Sequence, residues 1–109
     1  MVMSTINPFI EKAETIIETN LQNPNFDIQA LANALFIHRV HLFRKMKTLT
    51  GLSPTTFIRY YRLEKGKELL LTTNKSISQI AYEVGFKDPA HFTNAFLERY
   101  GITPSGARK

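Results

Sequence analysis

In the string RVHLFRKMK, Val40, Phe43, Arg44 and Lys47 recur at separations of three and four, so a helix would carry them along one side. Cations beside apolar groups on one exposed stripe suit the major groove of a nucleic-acid duplex. A guanidinium can bond bidentately to guanine O6 and N7, for about 1 to 3 kcal/mol of discrimination, and Val40 or Phe43 can touch thymine methyls. Arg39 stands at the head of the stripe, and His38, His41 and Lys45 flank it as candidate phosphate contacts. Leu42, Met46 and Leu49 fall on the opposite side and are expected to anchor the helix in a core. A second string, PAHFTNAFLERY, buries Phe92, Phe96 and Tyr100 by the same arithmetic and turns Ala90, Thr93, Asn94 and Leu97 outward. Asn94 can pair bidentately with adenine, but this face is nearly neutral and adds little Coulombic attraction. Lys87 and His91 are its candidate phosphate contacts.

The charge distribution points the same way. The net charge is +5, and no acidic residue falls between Asp27 and Glu64, while Arg39, Arg44, Lys45, Lys47, Arg59 and Arg62 all do. Such a window suits a polyanionic partner, against the plainer reading of a solvated basic face. With 109 residues, 43% of them hydrophobic, the chain fits one domain with a modest core. It has no cysteine, which excludes disulfides and thiolate chemistry. No run approaches the roughly 18 apolar residues of a membrane span, and MVMSTINPF has no secretory pattern, so a soluble, cytoplasmic protein is expected.

Helix starts recur along the chain. Asn7-Pro8, Ser53-Pro54, Asp88-Pro89 and Thr103-Pro104 each match a capping residue with proline at the first helical position. Ser76 with Gln79 makes a capping box, Asp27 caps a further run, and Asn23-Pro24 reads as a turn. Period-2 alternation is absent. The fold class is therefore all-α, with helices near residues 8–21, 28–35, 39–49, 54–73, 77–84, 89–99 and a short one from 104. Asn74 is a candidate left-handed cap at the end of the long helix.

The chain also repeats itself. At an offset of 50, HLFRKMKTLTGLSP aligns with HFTNAFLERYGITP, and upstream LANALFIH aligns with IAYEVGFKD after a slip of one residue. Each copy reads as helix, tight turn, second helix. Gly85 can take the positive φ of that turn, whereas Phe36 stands at the matching place in the first copy, so a different turn is expected there. The organisation is thus one domain over residues 1–109, with helix-turn-helix subdomains at 8–52 and 75–109 joined by a linker helix at 53–74. That helix spans roughly 30 Å, close to the ~34 Å of one DNA turn, so recognition helices at about 39–49 and 89–99 could enter successive major grooves. Gly66 inside it predicts a close helix crossing.

Rival chemistries have less support. His38 and His41 alone do not make the roughly four ligands of a closed metal site. Glu64 and Glu68 share a helix face but are interleaved with Lys65 and Lys67, as solvated charges are. Arg62 is expected to make a structural ion pair, for instance with Glu83, and Tyr60 and Tyr61 to sit in core and boundary. No nucleophile-base pair or phosphate loop marks an enzyme, and no cofactor is implied. The alternative class is a protein-interaction module whose Val40, Phe43 and Leu97 bind a partner helix or RNA polymerase.

The string SISQIAYEVGFKDPAHFTNAFLERYGITP, with HLFRKMKTLTGLSP and RLEKGKELL before it, resembles the AraC/XylS-type DNA-binding domain over residues 8–109. The resemblance implies two helix-turn-helix units that bind double-stranded promoter DNA and regulate transcription, usually as activators working with RNA polymerase. It implies base-reading roles for Val40, Phe43 and Arg44, with Arg39 and Lys47 nearby, and by matching position for Ala90, Thr93 and Asn94. Family members often carry arginine or lysine where this chain has Asn94 and Leu97, so weaker binding by the second unit is expected. The central stretch looks most like output domains of hybrid two-component regulators. An effector or sensor domain is expected on a part of a longer chain not present here, with the isolated domain monomeric.

Overall fold

The computed structural model of the chain describes residues 7–109, which form seven α-helices and no strand. The reading of MVMSTINPF as lacking a signal falls mainly outside the described residues. In chain order the helices are α1 (Pro8–Thr19), α2 (Ile28–Ala34), α3 (Arg39–Thr50), α4 (Pro54–Thr72), α5 (Ile77–Glu83), α6 (Pro89–Tyr100) and α7 (Pro104–Arg108). Their starts follow from side chains that satisfy the orphan N–H groups of the first turn. Asn7, Asp27, Ser76 and Thr103 accept such bonds at 2.9 to 3.1 Å, and Ser53 accepts one from Thr56 at 3.3 Å. Gln79 accepts in return from the Ser76 N–H at 2.9 Å, completing the capping box.

The end of α4 departs from expectation. Asn74 is not left-handed, since Phe36 is the one non-glycine residue with positive φ among those described. Instead the Arg108 guanidinium reaches back from α7 to the carbonyls of Leu70, Thr73 and Lys75 at 3.1, 3.2 and 2.6 Å. The charged fork serves one carbonyl in the last turn of α4, that of Leu70, and two in the segment that follows the helix.

The chain folds as two units: residues up to Asn20 with Asn25–Tyr61, and Leu21–Pro24 with Arg62–Lys109. The division falls inside α4, so the helix read from the sequence as a linker is shared. Residues 54–61 give Phe57 and Ile58 to the first core, and residues 62–72 give Leu63 and Leu70 to the second unit. In the first unit, α1 contributes Ile10, Ala13 and Ile17, against which the fully buried Leu42 and Met46 of α3 belong to the same cluster. Leu49, expected as a third anchor, is 38% exposed: it sits in the last turn of α3 and lines a shallow surface groove with His41, Arg44, Lys45 and Thr48.

In the second unit an aromatic ladder runs Phe86, Phe92, Phe96, Tyr100, with successive ring centroids 5.4, 5.6 and 4.6 Å apart and tilted planes. Gly66 admits it: a Cβ there would lie 2.7 Å from the Phe92 ring, which is the close crossing the sequence predicts. The Tyr100 hydroxyl donates to Glu64 at 3.1 Å, and burial followed by the Glu64 charge pushes its pKa up to about 12, so the phenol remains a donor.

The reversals between α2 and α3 and between α5 and α6 are built alike, which corrects the expectation of two different turns. Phe36 N–H donates to Asn33 and Ile37 N–H to Ala32, both at 3.1 Å; Gly85 N–H donates to Tyr82 at 3.1 Å and Phe86 N–H to Ala81 at 3.0 Å. Phe36 has φ 58° and Gly85 φ 88°. A side chain is admissible at Phe36 because it points into solvent, 91% exposed. At Gly85 a Cβ would run into the Arg62 guanidinium and the Leu21 carbonyl.

Arg62 itself is 6% exposed and donates to the carbonyls of Leu21, Val84 and Asn23 at 3.2, 3.2 and 3.0 Å. Its role is structural, as expected, but these bonds go to backbone carbonyls, and Glu83 is engaged by Lys75 at 2.7 Å. Burial lowers the Arg62 pKa, a desolvation cost that the three carbonyls offset.

The matched turns predict opposite responses. Phe36→Gly relieves a left-handed strain of about 1 to 3 kcal/mol and returns part of it as chain entropy, so stability in urea should rise by about 0.5 to 1 kcal/mol. Gly85→Ala adds strain and a collision with a buried charge, and should cost more than about 2 kcal/mol in the same measurement.

Candidate nucleic-acid interface

The buried Leu42 and Met46 fix which side of α3 faces outward. On that side Arg39, His41, Arg44, Lys45 and Lys47 are exposed, with Val40 52% and Phe43 46% exposed beside them. Val40, Phe43, Arg39 and Arg44 line a groove of about 590 Å³ together with Ile28, Ser53 and Thr55. Arg44 also lines the shallower groove that holds His41, Lys45, Thr48 and Leu49, so it stands on the ridge between the two. The sequence reading missed Ile28, Ser53 and Thr55 as wall residues. The only signal for them in the sequence is their place at or next to helix starts.

Two of the candidate phosphate contacts already have work within the protein. His38 is the N-cap of α3: its Nδ1 accepts from the Val40 N–H at 3.2 Å, which engages that nitrogen within the protein and leaves Nε2 as the other ring nitrogen. The Lys45 ammonium lies 4.4 Å from the centroid of the half-buried Phe9 ring of α1. The acidic residues of α1 are kept apart from the α3 surface: Glu11, Glu14 and Glu18 line a separate groove with Tyr61, whose hydroxyl bonds Glu18 at 2.6 Å.

In the second unit Phe92 and Phe96 are buried and turn α6 the same way. Ala90, His91, Asn94 and Leu97 are exposed, Thr93 is half-buried, and Lys87 is exposed just before the helix. Asp88 caps α6 by accepting from the His91 N–H at 2.8 Å, and its other carboxylate oxygen lies 3.0 Å from His91 Nδ1. The outer face is less neutral than the sequence reading had it. Glu98, one turn beyond Asn94, is exposed and sets a carboxylate beside the polar pair. Arg99 is the basic residue of the last turn, lying 5.5 Å from the Tyr100 ring.

As a chemical surface, α3 offers forked donors, ammonium groups and apolar side chains side by side in solvent. That set can neutralise phosphates and read base edges. The α6 face offers an amide, a half-buried hydroxyl and small apolar groups, with a carboxylate that repels phosphate. Among the described residues no three His, Cys, Asp or Glu side chains gather as a metal site needs, and no helix is long and apolar enough to cross a membrane.

Comparison with known proteins finds relatives of the same helical fold. A family model described as a helix-turn-helix domain matches residues 31–109. The chain is 38% identical over 104 residues to a histidine kinase, P4, of Formosa agariphila, covering 95% of this chain and 8% of that protein. Among solved structures, the C-terminal domain of the two-component response regulator yesN from Fusobacterium nucleatum superposes with a TM-score of 0.84 at 31% identity, covering 94% of this chain and 100% of that one. A Chromobacterium violaceum transcriptional regulator, described as containing an AraC-type DNA-binding domain, gives a TM-score of 0.84 at 30% identity, covering 93% of this chain and 89% of that one. The chain spans 8, 28 and 37% of the length of three curated relatives.

The Asp88 cap makes a prediction about acid. The backbone bond from His91, with the nearby imidazole, holds the Asp88 carboxyl below the ordinary aspartate value. A depressed folded pKa gives a contribution that is complete above the unfolded pKa of about 3.9 and is lost as pH falls through the folded one. A carboxyl-carbon NMR titration should therefore place the Asp88 midpoint below that of a random-coil aspartate, and Asp88→Asn should flatten the acid limb of the second unit's stability.

Proposed function

We propose a division of labour between two DNA-reading helices, from a plain premise: the chain belongs to the AraC/XylS-type helix-turn-helix DNA-binding domains. It is a domain for double-stranded DNA binding and transcription regulation, not an enzyme. The observation that carries the division is the groove in which Arg39 and Arg44 flank Val40 and Phe43, with no comparable charge on α6.

In this reading α3 supplies most of the affinity. Arg44 pairs with a guanine edge, Val40 and Phe43 contact thymine methyls, and Arg39 and Lys47 reach neighbouring phosphates or bases. His38 through Nε2, His41 and Lys45 add backbone contacts. The α6 face tunes sequence through Ala90, Thr93 and Asn94, with Lys87 and His91 at phosphates, while Glu98 keeps its affinity low. The two helices enter successive major grooves, so a single copy suffices and the isolated domain is a monomer. The domain acts in the cytoplasm as the output part of a longer regulator, with a sensor or effector domain elsewhere in that chain and RNA polymerase as a partner at the promoter. The kinase-like and response-regulator relatives support a phosphorelay signal.

Binding of duplex DNA is expected to weaken steeply with salt, by about 0.9 log units per log unit of salt for each phosphate neutralised. Arg44→Ala should cost about 1 to 3 kcal/mol on a selected duplex and relax base preference at one position, and Asn94→Ala should cost less. Fluorescence anisotropy across a salt series measures both. Equal losses for the two variants would overturn the division of labour, and insensitivity to salt and to Arg44→Ala would overturn DNA binding.

A further inference from the structure

Phe36 is the least economical residue of the first unit. It is a bulky side chain in a left-handed turn, at φ 58°, and it is 91% exposed. The backbone there favours glycine, and a phenyl ring left in water forgoes the stabilisation its burial would bring. The protein itself shows the economical solution, because the second unit builds the same turn, with matching hydrogen bonds, around Gly85. Packing within the unit does not explain the ring, which leaves almost all its surface in water. Backbone strain of this kind concentrates where a residue serves a ligand.

Its place in the chain says which ligand. Phe36 lies two residues before His38, the cap of α3, and three before the exposed Arg39. A trans chain covers at most about 3.8 Å per residue, so the Phe36 Cα is no more than about 11 Å from that of Arg39, within the footprint of anything as broad as a duplex seated on α3. The surrounding window from Ile28 to Leu63 contains no acidic residue, which favours a polyanion over an acidic or amphipathic protein surface.

We infer that Phe36 is a further DNA-contacting residue, a fixed aromatic knob at the entrance to α3 that packs on the sugar and base edges of the strand beside it. The left-handed backbone holds the ring clear of the protein, so it is presented rather than folded back. The inference rests on α3 being the principal reading helix. Because the ring neutralises no phosphate, its contribution should be independent of salt, unlike those of the cations around it.

The test uses the whole 109-residue chain and a duplex selected from a random pool by the parent protein. Phe36→Gly and Phe36→Asn both keep a residue that accepts the left-handed turn, so a thermal melt should show folding retained. Affinity should fall by about tenfold in both, with the slope of log affinity against log salt unchanged, and Phe36→Tyr should keep the parent affinity. Arg44→Ala on the same duplex is the reference. If Arg44→Ala weakens binding while both Phe36 variants bind like the parent, the inference is overturned. If neither Arg44→Ala nor salt affects binding, the DNA reading fails, and this inference with it.

Discussion

In each unit the chain reverses between two short helices through one left-handed residue, Phe36 or Gly85, and the next N–H returns to a small alanine, Ala32 or Ala81. Everything on the outward faces depends on that reversal. It sets the start of α3 or α6, a side-chain cap fixes the first turn, and two buried residues on each helix, Leu42 with Met46 or Phe92 with Phe96, lock its rotation. With rotation fixed, the residues left outside are determined by helical spacing alone. The second unit reinforces its turn by packing Arg62 against it, with one guanidinium serving the carbonyls of Val84, Leu21 and Asn23. That arrangement leaves room for nothing but hydrogen at position 85, whereas the first turn is open and can bear a side chain.

The same frame therefore carries two different surfaces. No acidic residue lines the groove on α3, and Arg39 and Arg44 share it with Val40 and Phe43. On α6 the one strong charge of the outer face beyond the first turn and before Arg99 is the carboxylate of Glu98. Coulombic attraction to phosphate scales with cations placed near it, so equal folds do not imply equal affinities. On the proposed division of labour, a face with no net cationic charge adds little to the sequence-independent term, so its contacts act on discrimination.

Much of this was legible in the residues. Caps and prolines placed the helix starts because those groups satisfy specific backbone donors, and the repeat placed the two turns because helix spacing is rigid. What escaped was tertiary. Asn74 looked like a cap, but Arg108, distant in sequence, took the carbonyls. Leu49 fitted the buried stripe, yet the helix ran past its core. Arg62 is legible as a structural charge, but the backbone carbonyls of Leu21, Val84 and Asn23 that it serves are not displayed by sequence. Phe36 adopts the glycine-like turn because its site faces open solvent, which local preference does not display. The outward residues of α3 and α6 were legible through periodicity; the groove walls Ile28, Ser53 and Thr55 were not, because they come from other helices.

Selection of bound duplexes from a random pool by the 109-residue chain tests the central claim most directly. Two reading helices of unequal strength predict two blocks of base preference about 10 to 10.5 base pairs apart, one sharply defined and containing guanine, the other shallow. A single symmetric motif, two blocks of equal sharpness, or no enrichment at all would contradict it.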